Sequence, residues 1–553
     1  MAALLTVTAL LQAPAAQAAP TRPTATKVLP ALPASTAPAD WQYRIQPGDT
    51  LLTLTEAYLA DGASWRALQR INQVADPLKL QPGAYLRMPI ALLRSEAGVA
   101  AALFTQGEVS LRRTGQAAEP LRAGAELRAG DVVRTGPQSS LTLRFVDGSR
   151  MLLAPDSQVA IERLLVYGRS GLPLMQLRLQ QGRTEHLVAR RPQRPPIYEV
   201  RTPSLNLGVR GTEFRIQLAD NGTGTHAQVL AGMVAADRLQ VAAGYGVAAT
   251  DAGQPAQLSL LPPAPDLQGL QPLIEKMPLR LTWSVAAAAQ AYRAQVFPAG
   301  DPERLLLDGR FEQPLAQWPD LPDGAYTLRV RSIDDLGHEG HAAEANFTVK
   351  ARPEPPFIKA PAADAVVYGK ALTLAWTQPL GVQGFALQLA QAKEMTDELL
   401  LDRRDLTATE FTHPLAPGRY YWRLASIAAG ADLGPWGELQ SVELRAEPPS
   451  PQLAPPELGA DTLQLRWPAA QGAASYQLQW ARDAEFTQML AEPGTDHPAL
   501  TLPKPPPGRY FLRARSVDAG GYAGPYGTTQ QVDIPATNWL LWLLPLGALL
   551  LVL

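Results

Sequence analysis

Hydrophobic and polar positions change their period several times along the 553-residue chain. Trp41-Gln42-Tyr43-Arg44-Ile45 alternates as a short strand does, and Gln46-Pro47-Gly48-Asp49-Thr50 then turns the chain. Leu51, Leu54, Ala57 and Tyr58 recur at helical spacing, with Asp49 or Thr50 placed to cap the helix. After Asp61-Gly62 a second helical run carries Trp65, Leu68 and Ile71, and Pro82-Gly83 leads into a second short strand, Ala84 to Pro89. The predicted order is strand, helix, helix, strand.

From Gly107 to Leu261 the pattern becomes short period-two runs separated by Gly, Asp and Pro. Leu141 to Val146 and Ser149 to Leu153 flank Asp147-Gly148, which reads as a two-residue type I′ hairpin with positive φ at both positions. From Pro262 onward one plan repeats three times. Leu281-Thr282-Trp283, Leu374-Ala375-Trp376 and Leu465-Arg466-Trp467 each precede an aromatic strand start at Tyr292, Phe385 or Tyr476. Gly324-Ala325-Tyr326, Gly418-Arg419-Tyr420 and Gly508-Arg509-Tyr510 follow, and strands such as Leu328-Arg329-Val330-Arg331 alternate apolar and basic residues. A period of about 90 residues suits a small β-sandwich, with the Trp and Tyr positions in its core.

Composition strengthens this reading. The 43 Gly and 52 Pro favour turns and linkers over helices, and 18% charged residues leave ample apolar material for cores. With 49 Lys plus Arg against 51 Asp plus Glu, no field draws in nucleic acid. Cysteine is absent, which excludes disulfides, thiolate metal sites and thiol nucleophiles. Ala2 to Leu11 followed by Ala16-Gln17-Ala18 reads as a cleavable export signal without a basic n-region. Trp539 to Leu553 is an uncharged apolar run, expected to form a short helix that anchors the chain in a membrane, with Trp539 and Trp542 at its interface.

The first folded segment resembles the LysM family, through Tyr43-x-Ile45-x-Pro47-Gly48-Asp49-Thr50-Leu51, Trp65-x-x-Leu68-x-x-x-Asn72 and Asp76-Pro77-x-x-Leu80-x-Pro82-Gly83-x-x-Leu86-x-Met88-Pro89. The resemblance implies binding of N-acetylglucosamine polymers, and so of peptidoglycan, in a groove between two loops. Carried over, the contacts fall on Gly48, Asp49, Thr50 and Leu51, with Pro77, Leu78, Leu80 and Gln81 opposite. Backbone amides would meet the N-acetyl carbonyl, while Leu51 and Leu80 would form an apolar wall.

Leu127-x-x-Gly130-Asp131-Val132-Val133-x-Thr135, Phe145-x-Asp147-Gly148-Ser149 and Val200-x-Thr202-Pro203-x-x-x-x-Gly208-Val209-Arg210-Gly211-Thr212-x-Phe214 resemble the FecR domain. That resemblance implies an all-β fold and a protein partner. Its best-known members relay a receptor's state to a sigma factor, and here the signal peptide and LysM-like module stand where their membrane relay begins. The three repeats resemble fibronectin type III domains, which implies spacers or partner surfaces.

The expected organisation is a mainly β multidomain chain: signal peptide 1–18, Pro/Ala-rich linker 19–40, a small α/β LysM-like module 41–92, and an all-β FecR-like domain 107–261. Three β-sandwich repeats at 262–350, 353–445 and 449–535 and an apolar anchor at 539–553 complete it.

The FecR-like segment holds 18 Arg, no Lys and 13 acidic residues. Arg183, Arg190, Arg191, Arg194 and Arg201 are its densest group, either a solvated strand face or a site for carboxylates of a partner or of peptidoglycan stems. Arg190, Arg191 and Arg194 are the candidate partner contacts. Chemistry is otherwise sparse. His338-Glu339-Gly340-His341 lacks HExxH spacing and reads as a hairpin loop, and neither a Gly-x-Ser-x-Gly nor a phosphate-loop motif is present. The expectation is a non-enzymatic envelope protein needing no metal or cofactor, whose partners are peptidoglycan, a membrane and an unidentified envelope or membrane protein. The alternative is a periplasmic signal-transduction component whose FecR-like domain modulates a membrane sensor or sigma-regulatory system.

Overall fold

A computed structural model describes residues 40–190, 197–209, 211–219, 222–250, 256–287, 289–396 and 398–536. The expected signal peptide, the linker as far as residue 39 and the apolar anchor lie outside these residues. Among the described residues no helix is long and apolar enough to cross a membrane. The fold is mainly β and multidomain, and the chain divides into two compact units, Met1–Ala351 and Arg352–Leu553.

The first unit opens with strand Trp41–Arg44 paired antiparallel to Tyr85–Met88, with helices Leu51–Tyr58 and Trp65–Asn72 between them. Eight-residue helices are marginal in isolation. Here each is capped: Thr50 Oγ1 accepts from Thr53 N, Ser64 Oγ accepts from Arg66 N, and Gln73 closes the second helix in the left-handed region at φ 54°. Asn72 then ties the second helix to the closing strand, donating to Arg87 O at 2.8 Å and accepting from Arg87 N at 2.7 Å. Trp41, Leu51, Leu54, Leu68, Leu86 and Met88 form the core, which continues into Tyr167, Leu172 and Leu174 of the following domain. A module this small buries little apolar area by itself, so these three borrowed side chains supply a missing wall.

That following domain begins earlier than the expected Gly107. Strand Ala100–Gln106 pairs with Ser140–Phe145 inside a nine-stranded sheet, and Glu96–Ala97 pairs with Gln158–Tyr167 of a ten-stranded sheet. Ala100 and Ala102 are buried in the shared core of the two sheets, but an alanine run shows only weak alternation in sequence. The turn at Asp147-Gly148 also departs from expectation. Only Gly148 of the pair has positive φ, at 87°, and its amide bonds back to Phe145 O at 3.0 Å while Phe145 N reaches Ser149 O. The loop is therefore a longer turn closed by a left-handed glycine, and Asp147 keeps negative φ because its carboxylate accepts from Ser149 N and Oγ.

The first sandwich has a five-stranded sheet built on Ala291–Pro298, Gly324–Ile333 and Glu339–Val349, and a two-stranded sheet of Leu279–Thr282 with Leu315–Trp318. The second unit contains two further sandwiches, with sheets of three and six strands and of three and five strands. Trp283, Trp376 and Trp467 are buried in the three cores. Tyr326, Tyr420 and Tyr510 each donate to the carbonyl four residues earlier, Pro322, Ala416 or Pro506, at 2.7 to 2.8 Å.

Candidate glycan groove and docking faces

The turn before the first helix and the segment before the second strand lie side by side, joined by Leu51 N donating to Pro77 O at 2.9 Å. Gly48 takes φ 90°, which a side chain would strain, although a Cβ there would meet nothing within 4 Å. Asp49 accepts from Tyr43 Oη at 2.8 Å and Gln46 N at 2.7 Å. Burial, then this bond to a carboxylate, pushes the Tyr43 pKa up. On the other side Asp76 accepts from Leu78 N at 2.9 Å and sets the approach of that segment. Gly48, Gln81 and Leu78, which is 66% exposed, form the open rim, while Pro77 and Leu80 are half-buried.

Two expectations need correction here. Leu51 is fully buried at 0% exposure, so its side chain belongs to the module core and not to a groove wall. The amides of Asp49, Thr50 and Leu51 are engaged by Gln46 O, Thr53 Oγ1 and Pro77 O, because a tight turn running into a capped helix uses them internally. The amide of Gly48 has no internal acceptor among the described residues.

The arginine group separates in space. Arg190 is exposed, donates from Nε to Gly211 O at 3.3 Å, and borders a cleft of about 500 Å³ shared with Gly148, Arg150 and Thr212. Arg191 and Arg194 lie outside the described residues. Arg201 pairs with Glu199 and Glu162. Arg183 is neither solvated nor open to a ligand, because the first sandwich covers it.

That covered face was not legible in the sequence. Glu185 and Arg215 from adjacent strands of the FecR-like domain, with Arg183, meet Arg293, Asp308, Arg331 and Glu339 of the first sandwich. Arg331 spans Glu185 with Nη1 and Nη2 at 2.9 and 2.8 Å, and Glu339 takes Arg183, Arg215, Arg293 and Arg331 within 3.3 Å. Burial by itself would raise both glutamate pKa values. The charge of Arg331 outweighs it at Glu185, and the surrounding arginines, Arg183 first, outweigh it at Glu339, so both fall below the usual carboxylate range. Neutral contacts extend the joint, with Ser140 Oγ donating to Leu305 O and Thr142 Oγ1 to Glu303 O, each at 2.7 Å. His338 ends the hairpin loop between Gly324–Ile333 and Glu339–Val349, as expected, but it is buried beside His226 and bonded to Ser259 Oγ, and Glu339, Gly340 and His341 belong to the strand, so this segment packs into the joint. Among the described residues no group of three or more His, Asp or Glu side chains is arranged to hold a metal.

These features define a multidomain, mainly β chain with one large two-sheet domain between its N-terminal module and its first sandwich. Residues 131–235 match the family model described as FecR protein. No curated protein matches the chain. Among solved structures, the FN1-FN3 domains of chicken CNTN1 align over 46% of this chain and 94% of that one, with 17% identity and a TM-score of 0.23. Two crystal structures of a "putative anti-sigma factor" from Parabacteroides distasonis align at 13% and 14% identity and a TM-score of 0.20. They cover 23% of this chain, which spans 59% of the length of those structures.

Proposed function

We propose that this is a non-catalytic protein of the cell envelope, exported and held at a membrane by its apolar C-terminal run. It binds peptidoglycan through residues 41–92 and offers its remaining domains as a docking scaffold. The observation that carries the glycan reading is the pair of loops fastened by Leu51 N and Pro77 O, with Gly48 on one rim and Leu78 and Gln81 on the other. A small residue with an available amide beside an exposed leucine suits an N-acetyl group, which presents a carbonyl acceptor next to a methyl. The test is co-sedimentation of the full chain with purified peptidoglycan and titration with chitin oligomers. Leu78→Ser and Gln81→Ala remove exposed rim groups, so affinity should fall several-fold while melting is unchanged. If wild type pellets with neither polymer at millimolar glycan, this reading is wrong.

A second reading is favoured by the family match at 131–235: the FecR-like domain acts in signal transduction by modulating a membrane sensor or sigma-regulatory protein. Crosslinking from Arg190 separates the two. An envelope-assembly protein supports the scaffold, whereas a sensor or sigma-regulatory membrane protein supports the relay.

A further inference from the structure

The three sandwiches follow one plan, so their polar faces can be compared position by position. Gly340, Gly434 and Gly524 each sit where a Cβ would strike the carbonyl oxygen of the incoming Pro262, Pro353 or Pro448, at 2.0 to 2.5 Å. Together with the core Trp and Tyr, these close approaches fix the correspondence. On the larger sheet, Gln295, Gln388 and Gln479 are equivalent. Each donates to a nearby carboxylate, Asp308, Asp402 or Glu492. Directly across from them in register stand Arg329, Arg423 and Arg513, and two residues further on stand Arg331, Ala425 and Arg515.

In the first sandwich this face is an interface within the molecule. Arg331 clasps Glu185 of the FecR-like domain with both outer nitrogens, and its side chain is 3% exposed. At the same position in the third sandwich Arg515 is 28% exposed. Its Nε donates to Gln477 Oε1, and Arg513 Nε donates to Gln479 Oε1, each at 2.8 Å. Aromatic rings hold both planes: Arg513 lies 3.9 Å from the Phe486 ring and 4.3 Å from the Tyr526 ring, and Arg515 lies 4.6 Å from Tyr526. Glu492 accepts from Tyr526 Oη at 3.0 Å and approaches Arg515 only to 3.9 Å. Two guanidinium groups with their inner edges bonded and their planes fixed keep the outer nitrogens for a further acceptor. Little side-chain freedom remains to be lost when a carboxylate arrives.

We propose that this face of the third sandwich is a second docking surface, which receives the sheet of a partner protein carrying a strand glutamate, as Glu185 is carried to Arg331 in the first. Arg513 and Arg515 against Glu492 leave one positive charge in excess for that carboxylate. The partner is not the FecR-like domain of another copy, because Glu185 there is already clasped by its own Arg331.

The probe is a labelled synthetic β-hairpin of alternating threonine and glutamate, with two glutamates on one face, titrated into the full-length chain. Saturable binding is expected at roughly 10–500 μM in low salt, weakening as salt rises. Arg515→Ala should lower affinity at least tenfold. Arg423→Ala in the second sandwich should leave it unchanged, and unaltered melting of both variants excludes unfolding as the cause. A hairpin with glutamine in place of glutamate should also bind at least tenfold more weakly. Absence of binding to wild type, equal binding by Arg515→Ala, or equal binding of the glutamine hairpin overturns the proposal. Displacement by free glutamate at equal carboxylate concentration also overturns it, since the face would then be a small-anion site. None of these outcomes bears on the glycan groove, which lies in a different domain.

Discussion

The FecR-like domain holds two neighbours by opposite means. It meets the N-terminal module through Tyr167, Leu172 and Leu174, an apolar patch that completes the module's core. It meets the first sandwich through four arginines and three carboxylates, nearly all buried. The apolar joint is non-directional and tolerates small shifts at little cost. The ionic joint has no such tolerance, because a buried guanidinium that loses its carboxylate has neither water nor partner. The first arrangement secures a small module, and the second fixes an orientation.

Breaking the ionic joint should have the largest effect. Glu339→Ala leaves four arginines around an empty position, and about 3–5 kcal/mol of stability should disappear. Thermal melting of the full chain checks this; a loss below 1 kcal/mol would mean that the joint relaxes or fills with water. Leu174→Ala at the apolar joint should cost about 2–4 kcal/mol, expressed mainly as earlier proteolysis of residues 41–92. Indistinguishable proteolysis of mutant and wild type would show that the module is stable without its borrowed wall.

Acid should separate the joints as well. Burial holds His186 down to about 3, with its ring between Tyr198 Oη and Thr184 Oγ1. A depressed pKa means that the folded state binds fewer protons, so this contribution is complete above the unfolded value of about 6.5 and is lost as pH falls toward 3. The slope should reach about 1.4 kcal/mol per pH unit for this residue. His226, also depressed by burial and then by His338, adds to it. Glu185 and Glu339 contribute fully above about 4.3 and weaken only below that. Stability measured from pH 7 to 4 should therefore decline through histidine, and His186→Gln should flatten the curve; an unchanged slope would place the titration elsewhere. The smallest effect belongs to exposed pairs. Arg178→Ala, which removes the contact with Glu162, should change stability by no more than about 0.5 kcal/mol in the same melts.

Much of the architecture was legible because it rests on local rules. Thr50 caps a helix, Trp283, Trp376 and Trp467 recur in strands that must bury them, and Gly48 turns a chain that no larger residue would turn as readily. Leu51 was misread as a groove residue because sequence marks it as apolar without saying which side of the turn it faces. The strand before Gly107 was missed because alanines alternate too weakly to announce it.

Sequence by itself determined the mainly β class, the repeated sandwiches and the location of the two loops that Leu51 N and Pro77 O fasten together. Only the tertiary structure decided that Arg183, Glu185, Arg215, Arg293, Arg331 and Glu339 form one network. Glu339 stands where the other repeats have Leu433 and Ala523, a substitution whose meaning depends on a domain more than 100 residues away. Charge pairing across such distances leaves no periodic trace, since each residue separately satisfies the alternation of its own strand, and only the packing of two sheets brings the charges together.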